Sequence, residues 1–113
     1  MKIQEIISVL NAKLLCCENH INDEVKSACA SDLMSDVLAF VKDEAVLLTG
    51  LCNPQIVRTA EMMDMRCIVI VRSKQPDEQI LALAREKGIV MLSCPLRMFE
   101  AAGRLYQTGL KGE

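Results

Sequence analysis

The stretch AVLLTGLCNPQIVRTAEMMD, residues 45–64, is the segment from which the fold of this chain can be predicted. Its apolar run stops at Thr49-Gly50, and Pro54 opens an amphipathic segment shortly afterwards. Asn53 has the side chain of a helix N-cap, and proline suits the first helical position. The stretch therefore predicts a buried strand, a tight loop and a helix N-terminus, an arrangement in which α/β proteins bind anions and other ligands.

Further strands and helices are predicted on both sides of this stretch. Apolar residues at helical spacing predict helices in residues 2–10, 33–41, 54–63, 78–87 and 93–107. Short apolar or alternating runs predict strands in residues 13–17, 25–30, 45–48, 67–71 and 89–92. The run CIVIV at 67–71 is typical of a central parallel strand that is covered on both faces.

From residue 25 onward the predicted strands and helices strictly alternate, which implies crossover connections. We therefore expect an α/β fold with a mostly parallel central sheet of about four to five strands, flanked by about five helices. The chain has 113 residues, enough for one compact domain and too few for two, so residues 1–113 are expected to form a single domain.

The apolar positions also predict which side chains the helices bury. Leu33, Val37, Leu38 and Val41 form the predicted apolar stripe of the second helix. Met63 is predicted to face inward near the end of the third helix.

Composition and charge exclude several classes of function. The chain is 51% hydrophobic and 25% charged, as is ordinary for a folded domain. Its net charge is -2, it has no basic face, and its three aromatic residues offer little for stacking on bases, so no nucleic-acid partner is expected.

Residues 1–11 lack the apolar core of a signal peptide, and no apolar run approaches the length of a membrane span. We expect a cytoplasmic protein whose six cysteines are free thiols.

Candidate binding residues follow the predicted strand ends. Because ligands of parallel α/β sheets bind beyond the carboxyl ends of the strands, the loops there are expected to share one rim. Hydroxyl groups, cationic side chains and helix N-termini on this rim suit an anionic small molecule. Helix capping by the same Ser, Asp, Asn and Thr side chains is the alternative explanation. The candidate ligand-binding residues are Ser31, Asp32, Ser35, Thr49, Gly50, Asn53, Arg72 and Ser93, with Lys74 beside them.

Two of these candidates have competing interpretations. Gly50 is either part of a phosphate cradle or a plain turn glycine, and TGLCN matches neither a Walker A loop nor GxGxxG. Asp32 and Asp36, four residues apart, are predicted to share one helix face. They could perform acid–base chemistry or hold a divalent cation, or they could simply stabilise the helix dipole.

The cysteines show no CxxC motif and no His/Cys pair at zinc-binding spacing. Cys52 and Cys94 each precede a predicted helix, where the field of the helix N-terminus would lower a thiol pKa. These two thiols are either reactive or metal-binding, or merely structural. Cys29 and Cys67 lie in apolar strands and are expected to be small core residues. No metal site and no cofactor are predicted.

The chain from Val25 to Leu105 resembles the DRTGG domain family. The resemblance lies in VKSACASDLMSDVL, in AVLLTGLCNPQIVRTAEMMDMRCIVIV and in ILALAREKGIVMLSCPLRMFEAAGRL. It is strongest to single-domain DRTGG-like proteins of anaerobic bacteria. Related domains occur at the N-terminus of HPr kinase/phosphorylase, in some phosphotransacetylases, and beside CBS domains in certain pyrophosphatases. The resemblance implies a regulatory or structural role.

This sequence departs from the family pattern at one point. Where family members often carry Thr-Gly-Gly after the central strand, residues 71–74 read VRSK. The P-loop of HPr kinase belongs to a different domain, so the resemblance does not imply kinase activity.

Three hypotheses for function follow. The first is a non-catalytic regulatory or small-molecule-binding domain, with a nucleotide or another anion as ligand and with a homodimer expected because the domain is small and half apolar. The second is a thiol- or metal-dependent accessory protein of a redox or metalloenzyme system. The third is a small enzyme that uses Asp32 and Arg72 on a phosphorylated substrate.

Overall fold

A five-stranded sheet forms the centre of the protein, in the order β1-β5-β4-β3-β2. The computed structural model describes residues 1–40 and 44–112. Strand β1 pairs antiparallel with β5, and the other four strands are parallel. The strands are β1 Lys13–Cys16, β2 Ser27–Ala30, β3 Ala45–Thr49, β4 Cys67–Ile70 and β5 Val90–Ser93. The expected α/β fold with a mostly parallel sheet is confirmed.

Five α-helices cover the two faces of this sheet. Since β2, β3, β4 and β5 lie side by side in chain order, right-handed crossovers place the three connecting helices on one face. The first and last helices pack together on the other face. The helices are α1 Ile3–Leu10, α2 Met34–Phe40, α3 Pro54–Met62, α4 Glu78–Lys87 and α5 Met98–Gln107, with a short 3₁₀ helix at Glu18–His20.

Local capping explains where α3 and α4 begin and where α4 ends. The Asn53 side chain accepts a hydrogen bond from the backbone N–H of Gln55 at 3.0 Å, and Pro54 follows it as predicted. Asp77 caps α4 in the same way, by accepting from the backbone N–H of Ile80 at 2.9 Å. Gly88 ends α4 in the left-handed conformation with φ 68°, which glycine adopts without strain.

Strand β4 is the middle strand of the sheet and is buried along its whole length. Cys67 and Val69 face the layer of α1 and α5, whereas Ile68 and Ile70 face the layer of α2, α3 and α4. Full burial of a Val or Ile side chain stabilises the fold by about 1.5–3 kcal/mol. The prediction of a central strand covered on both faces is confirmed.

The predicted buried stripe of α2 is wrong in two positions. Met34 and Val37 are the buried residues, while Leu33 is 57% exposed and Leu38 is 39% exposed. Leu33 precedes the helix, and Leu38 lies about 100° around the helix from Val37, at the edge of the buried face. Val41, the fourth predicted position, lies outside the described residues.

Met63 packs against the core, as predicted, and is half-buried, whereas the fully buried methionine after α3 is Met65, which is 2% exposed. The chain turns at Asp64, with φ 56°, and this turn points Met65 back into the core. The predicted start of α5 is corrected by the structure. Helix α5 begins at Met98 and not at residues 93–95, because Ser93 still belongs to β5. None of the helices in the described residues is long and apolar enough to cross a membrane.

Candidate functional site

A cleft lies at the carboxyl ends of β2, β3 and β4, where the first turn of α5 closes one side. Parallel sheets bind their ligands at this edge. The cleft has a volume of about 460 Å³, within the range of about 300–1,000 Å³ that small-molecule sites occupy. Its lining comprises Asp32, Gly50, Val71, Arg72, Arg97, Met98 and Phe99. We call this the strand-end cleft.

Asp32 joins the ends of β2 and β3. Its Oδ1 accepts a hydrogen bond from Thr49 Oγ1 at 3.0 Å and one from the backbone N–H of Gly50 at 2.6 Å. Thr49 Oγ1 in turn accepts from the backbone N–H of Leu51 at 3.1 Å. The carboxylate therefore holds the loop after β3 in shape, and one of its oxygens is occupied by this structural role.

Gly50 makes room for the side chain of Arg72. A Cβ atom at Gly50 would lie 2.9 Å from Arg72 Nη2, closer than real Cβ contacts. The only glycines with positive φ among residues 1–40 and 44–112 are Gly88 and Gly109, so Gly50 is not held by a left-handed turn. Because Gly50 has no side chain, the guanidinium of Arg72 can lie close to the backbone there.

The backbone of Arg72 is held in an unusual conformation. Arg72 and Ser73 both have positive φ, 62° and 55°, which is uncommon outside glycine. The backbone N–H of Arg72 donates to Leu96 O, and that of Ser73 donates to Cys94 O, both at 2.8 Å. Strained residues persist only where neighbouring contacts enforce them, and they cluster at functional sites. This loop directs the guanidinium of Arg72 across Gly50.

The strand-end cleft has two arginines without a carboxylate partner. Within the part of the chain that the structure describes, neither Arg72 nor Arg97 forms an ion pair. By contrast, Arg66, Arg85 and Arg104 lie 3.5, 2.7 and 3.8 Å from carboxylate oxygens. Guanidinium groups bind phosphates and carboxylates by paired, charge-assisted hydrogen bonds. The cleft therefore has positive charge available for an anionic ligand.

The first turn of α5 contributes residues that the sequence analysis missed. Arg97 is the N-cap of α5, and its side chain makes no capping hydrogen bond. Met98 is half-buried, and Phe99 is 91% exposed. The predicted helix began at residues 93–95, which placed these residues inside it and away from the rim. The only signal for these residues in the sequence was that Arg97 and Phe99 follow closely after the strand that ends at Ser93.

Several predicted rim residues have other, local partners. Ser31 and Asn53 accept hydrogen bonds from backbone N–H groups two residues further on, at 3.0 Å each. Ser93 is buried and donates to Lys74 O at 3.1 Å. Lys74 Nζ donates to Gly50 O at 2.7 Å. Ser35 is exposed on α2. Of the predicted residues, the structure brings only three together in the cleft lining: Asp32, Gly50 and Arg72.

The predicted carboxylate pair is not formed on one helix. Asp32 precedes α2 and bonds to the loop after β3, whereas Asp36 lies in the first turn of α2. Among the described residues, no group of three or more His, Cys, Asp or Glu side chains is placed to hold a metal ion.

For Cys52 and Cys94, the structure favours the structural alternative over a reactive thiol. Burial raises the pKa of the Cys52 thiol, and the positive charges of Lys74 and Arg72 only partly oppose this effect. Burial likewise raises the pKa of Cys94, whose thiol donates to Leu10 O at 3.6 Å. Cys94 lies three residues before the N-cap of α5, too far for the helix field to act on it. All six cysteines are free thiols in the structure, as predicted.

Comparison with known proteins places the chain in a family. The model of the DRTGG domain matches residues 5–108. A similar solved structure is that of the CBS and DRTGG domains of the regulatory region of Clostridium perfringens pyrophosphatase, in complex with the activator diadenosine tetraphosphate. The TM-score is 0.72 at 15% sequence identity, and the likeness covers 95% of this chain and 46% of that chain, so the present chain spans about half the length of this neighbour. No curated protein matches significantly. The chain belongs to the DRTGG domain family.

Proposed function

We propose that this chain is a non-catalytic regulatory domain that binds a small anionic ligand, a metabolite or a nucleotide, in the strand-end cleft. One observation carries the proposal: Arg72 and Arg97 line the same cleft, and neither is paired with a carboxylate of the described residues. Guanidinium groups are the usual binding groups for phosphates and carboxylates. An anionic ligand would complete the charge balance of the cleft.

The family supports a regulatory role. The pyrophosphatase region that shares this fold is described as regulatory and was crystallised with a nucleotide activator. That activator is a ligand of the pyrophosphatase. Because the crystallised region contains both CBS and DRTGG domains, the activator is not assigned to the DRTGG domain. For the present chain, the same fold and the cleft together support ligand binding without catalysis.

The remaining hypotheses have less support. If Asp32 acted as a catalytic base, its carboxylate would also have to maintain the hydrogen bonds from the Thr49 hydroxyl and the Gly50 backbone N–H. A thiol-dependent function would need ionised thiols, whereas burial raises the pKa of Cys52 and Cys94. Neither hypothesis has a specific observation in its favour.

A homodimer in the cytoplasm remains part of the proposal. Leu33 and Tyr106 are more than half exposed, and apolar side chains of this size commonly become covered in an oligomer. The six free thiols suit a reducing compartment. Native mass spectrometry of the purified protein would report both the oligomeric state and any ligand that remains bound.

The cleft can be tested by calorimetric titration with pyrophosphate and with adenosine diphosphate. We expect Arg72→Ala and Arg97→Ala each to weaken binding by about ten- to a hundredfold, because each removes about 1.5–3 kcal/mol of charge-assisted hydrogen bonding. Arg58→Ala is the matched control, since Arg58 is also exposed but lies on α3, outside the cleft lining. Equal affinities for the wild type and both cleft variants would refute the site.

A further inference from the structure

Phe99 is the most exposed of the large apolar side chains among the described residues. The residue is 91% exposed, although the preceding Met98 packs against the core formed by α1 and α5. Phe99 contributes to neither of the two hydrophobic cores. It does, however, line the strand-end cleft together with Arg72 and Arg97. The folding of the domain therefore does not explain this aromatic ring, whereas a ligand in the cleft would.

We infer that Phe99 determines the specificity of the strand-end cleft, and that the ligand has a flat ring beside its anionic group, as a nucleotide does. The inference rests on the proposed binding of an anion in the same cleft. An exposed phenyl ring offers a π face on which any nucleobase can stack. The two guanidinium groups of Arg72 and Arg97 would then hold the phosphates at the other end of the ligand.

The size of the cleft is consistent with such a ligand. A volume of about 460 Å³ is much larger than the space that one phosphate group requires, and water in liquid occupies only about 30 Å³ per molecule. A bare phosphate held by the arginines would leave Phe99 in contact with water. A ligand that also covers the ring of Phe99 would remove apolar surface from water, which is favourable at about 25 cal/mol per Å².

Asp32 adds a constraint on the orientation of this ligand. Its Oδ1 is engaged by the loop after β3, and its Oδ2 has no hydrogen-bond partner within residues 1–40 and 44–112. A carboxylate repels phosphate but accepts hydrogen bonds from hydroxyl groups. The sugar hydroxyls of a nucleotide, placed between base and phosphate, are the chemical group that a carboxylate in this cleft can bind.

The test compares two ligands that share a diphosphate, adenosine diphosphate and pyrophosphate, by calorimetric titration. We expect the wild type to bind the nucleotide about ten- to a hundredfold more tightly, in line with measured base–aromatic stacking. Phe99→Ala should abolish this difference and leave the affinity for pyrophosphate unchanged. Phe99→Tyr, which retains a ring, should preserve the difference.

Tyr106→Ala is the matched control, because Tyr106 is another exposed aromatic residue of α5 and lies outside the cleft lining. It should bind both ligands as the wild type does. If pyrophosphate binds as tightly as the nucleotide, or if Phe99→Ala preserves the difference, the inference on Phe99 is wrong. If Arg72→Ala and Arg97→Ala leave both affinities unchanged, the proposed anion site itself is wrong, so the two failures can be told apart.

Discussion

Replacement of Gly50 by alanine should weaken ligand binding while changing the stability of the domain very little. The added Cβ would lie 2.9 Å from Arg72 Nη2 and 3.6 Å from both Cζ and Nε of the same side chain. These three nearest atoms all belong to the flexible end of one exposed arginine, so the side chain can move away. An off-rotamer shift costs about 0.5–1.5 kcal/mol, whereas Gly→Ala at an unstrained position stabilises by about 0.4–1 kcal/mol through the unfolded state.

We therefore expect the free energy of unfolding of Gly50→Ala to lie within about 1 kcal/mol of the wild-type value. For a domain of this size, that corresponds to a change in Tm of no more than about 4–8 °C. Binding should respond differently, because the displaced Arg72 guanidinium loses its position over the cleft. The expected loss of about 1.5–3 kcal/mol corresponds to roughly ten- to a hundredfold weaker binding of pyrophosphate.

A double-mutant cycle with Arg72→Ala provides the assay. Affinities from calorimetric titration and unfolding free energies from urea denaturation would be measured for the wild type, both single variants and the double variant. Because Gly50→Ala acts on binding only through Arg72, the double variant should bind no more weakly than Arg72→Ala alone. Two additive losses of affinity would contradict the argument, as would a loss of several kcal/mol of stability in Gly50→Ala.

Three further predictions concern other parts of the molecule. Asp32→Ala leaves the backbone N–H of Gly50 and the buried hydroxyl of Thr49 without their acceptor, so urea denaturation should show a free energy of unfolding lower by about 1–3 kcal/mol. Asp32→Asn, which keeps an acceptor oxygen, should lose less stability. Met65→Ala should destabilise by about 2–5 kcal/mol in thermal or urea unfolding, and Met62→Ala, at a position 72% exposed, should change stability by no more than about 0.5 kcal/mol; equal effects would contradict the assigned core. Burial, reinforced by the neighbouring Cys16, raises the pKa of Cys17 to about 11 from the ordinary 9.0. The free energy of unfolding should therefore be constant below about pH 9 and fall as the pH rises towards 11. A Cys17→Ser variant should show a flatter dependence of this free energy on pH over the same range.

The helices and strands of this protein could largely be predicted because their signals are local. Asn53-Pro54 and Asp77 mark helix starts by capping chemistry that involves only neighbouring backbone groups. Gly88 marks a helix end because few residues other than glycine adopt its backbone conformation. The apolar run at 67–71 predicts the middle strand from hydrophobicity alone.

The errors arose where tertiary contacts outweigh a local pattern. Leu33 and Leu38 have the spacing of a buried helix face, yet Leu33 precedes α2 and Leu38 lies at the edge of its buried face, so both are exposed while Met34 is buried. The sequence Ser93-Cys94-Pro95 has the composition of a helix start, but pairing with β4 keeps Ser93 in the sheet. Residues at the margin of a helical stripe differ by only about 100° per position, so packing against the neighbouring layer decides which of them are buried.

The candidate site was predictable in location and only partly in composition. The rule that ligands bind at the carboxyl ends of parallel strands predicted that Asp32, Gly50 and Arg72 lie near one another, and all three line the strand-end cleft. It missed Arg97 and Phe99, which enter the cleft from a helix on the opposite side of the sheet from α2, α3 and α4. Nothing in their local sequence indicates which strand ends they lie beside.

The sequence by itself determined the class of fold and the order of its elements, because hydrophobic periodicity and helix caps act over a few residues. The tertiary structure alone decided what residues 45–64 contribute to a binding site. Their Gly50 is held by Asp32 from one neighbouring strand and lies under Arg72 from the other. These partners are separated along the chain by about twenty residues on either side and meet only because three parallel strands end at one edge.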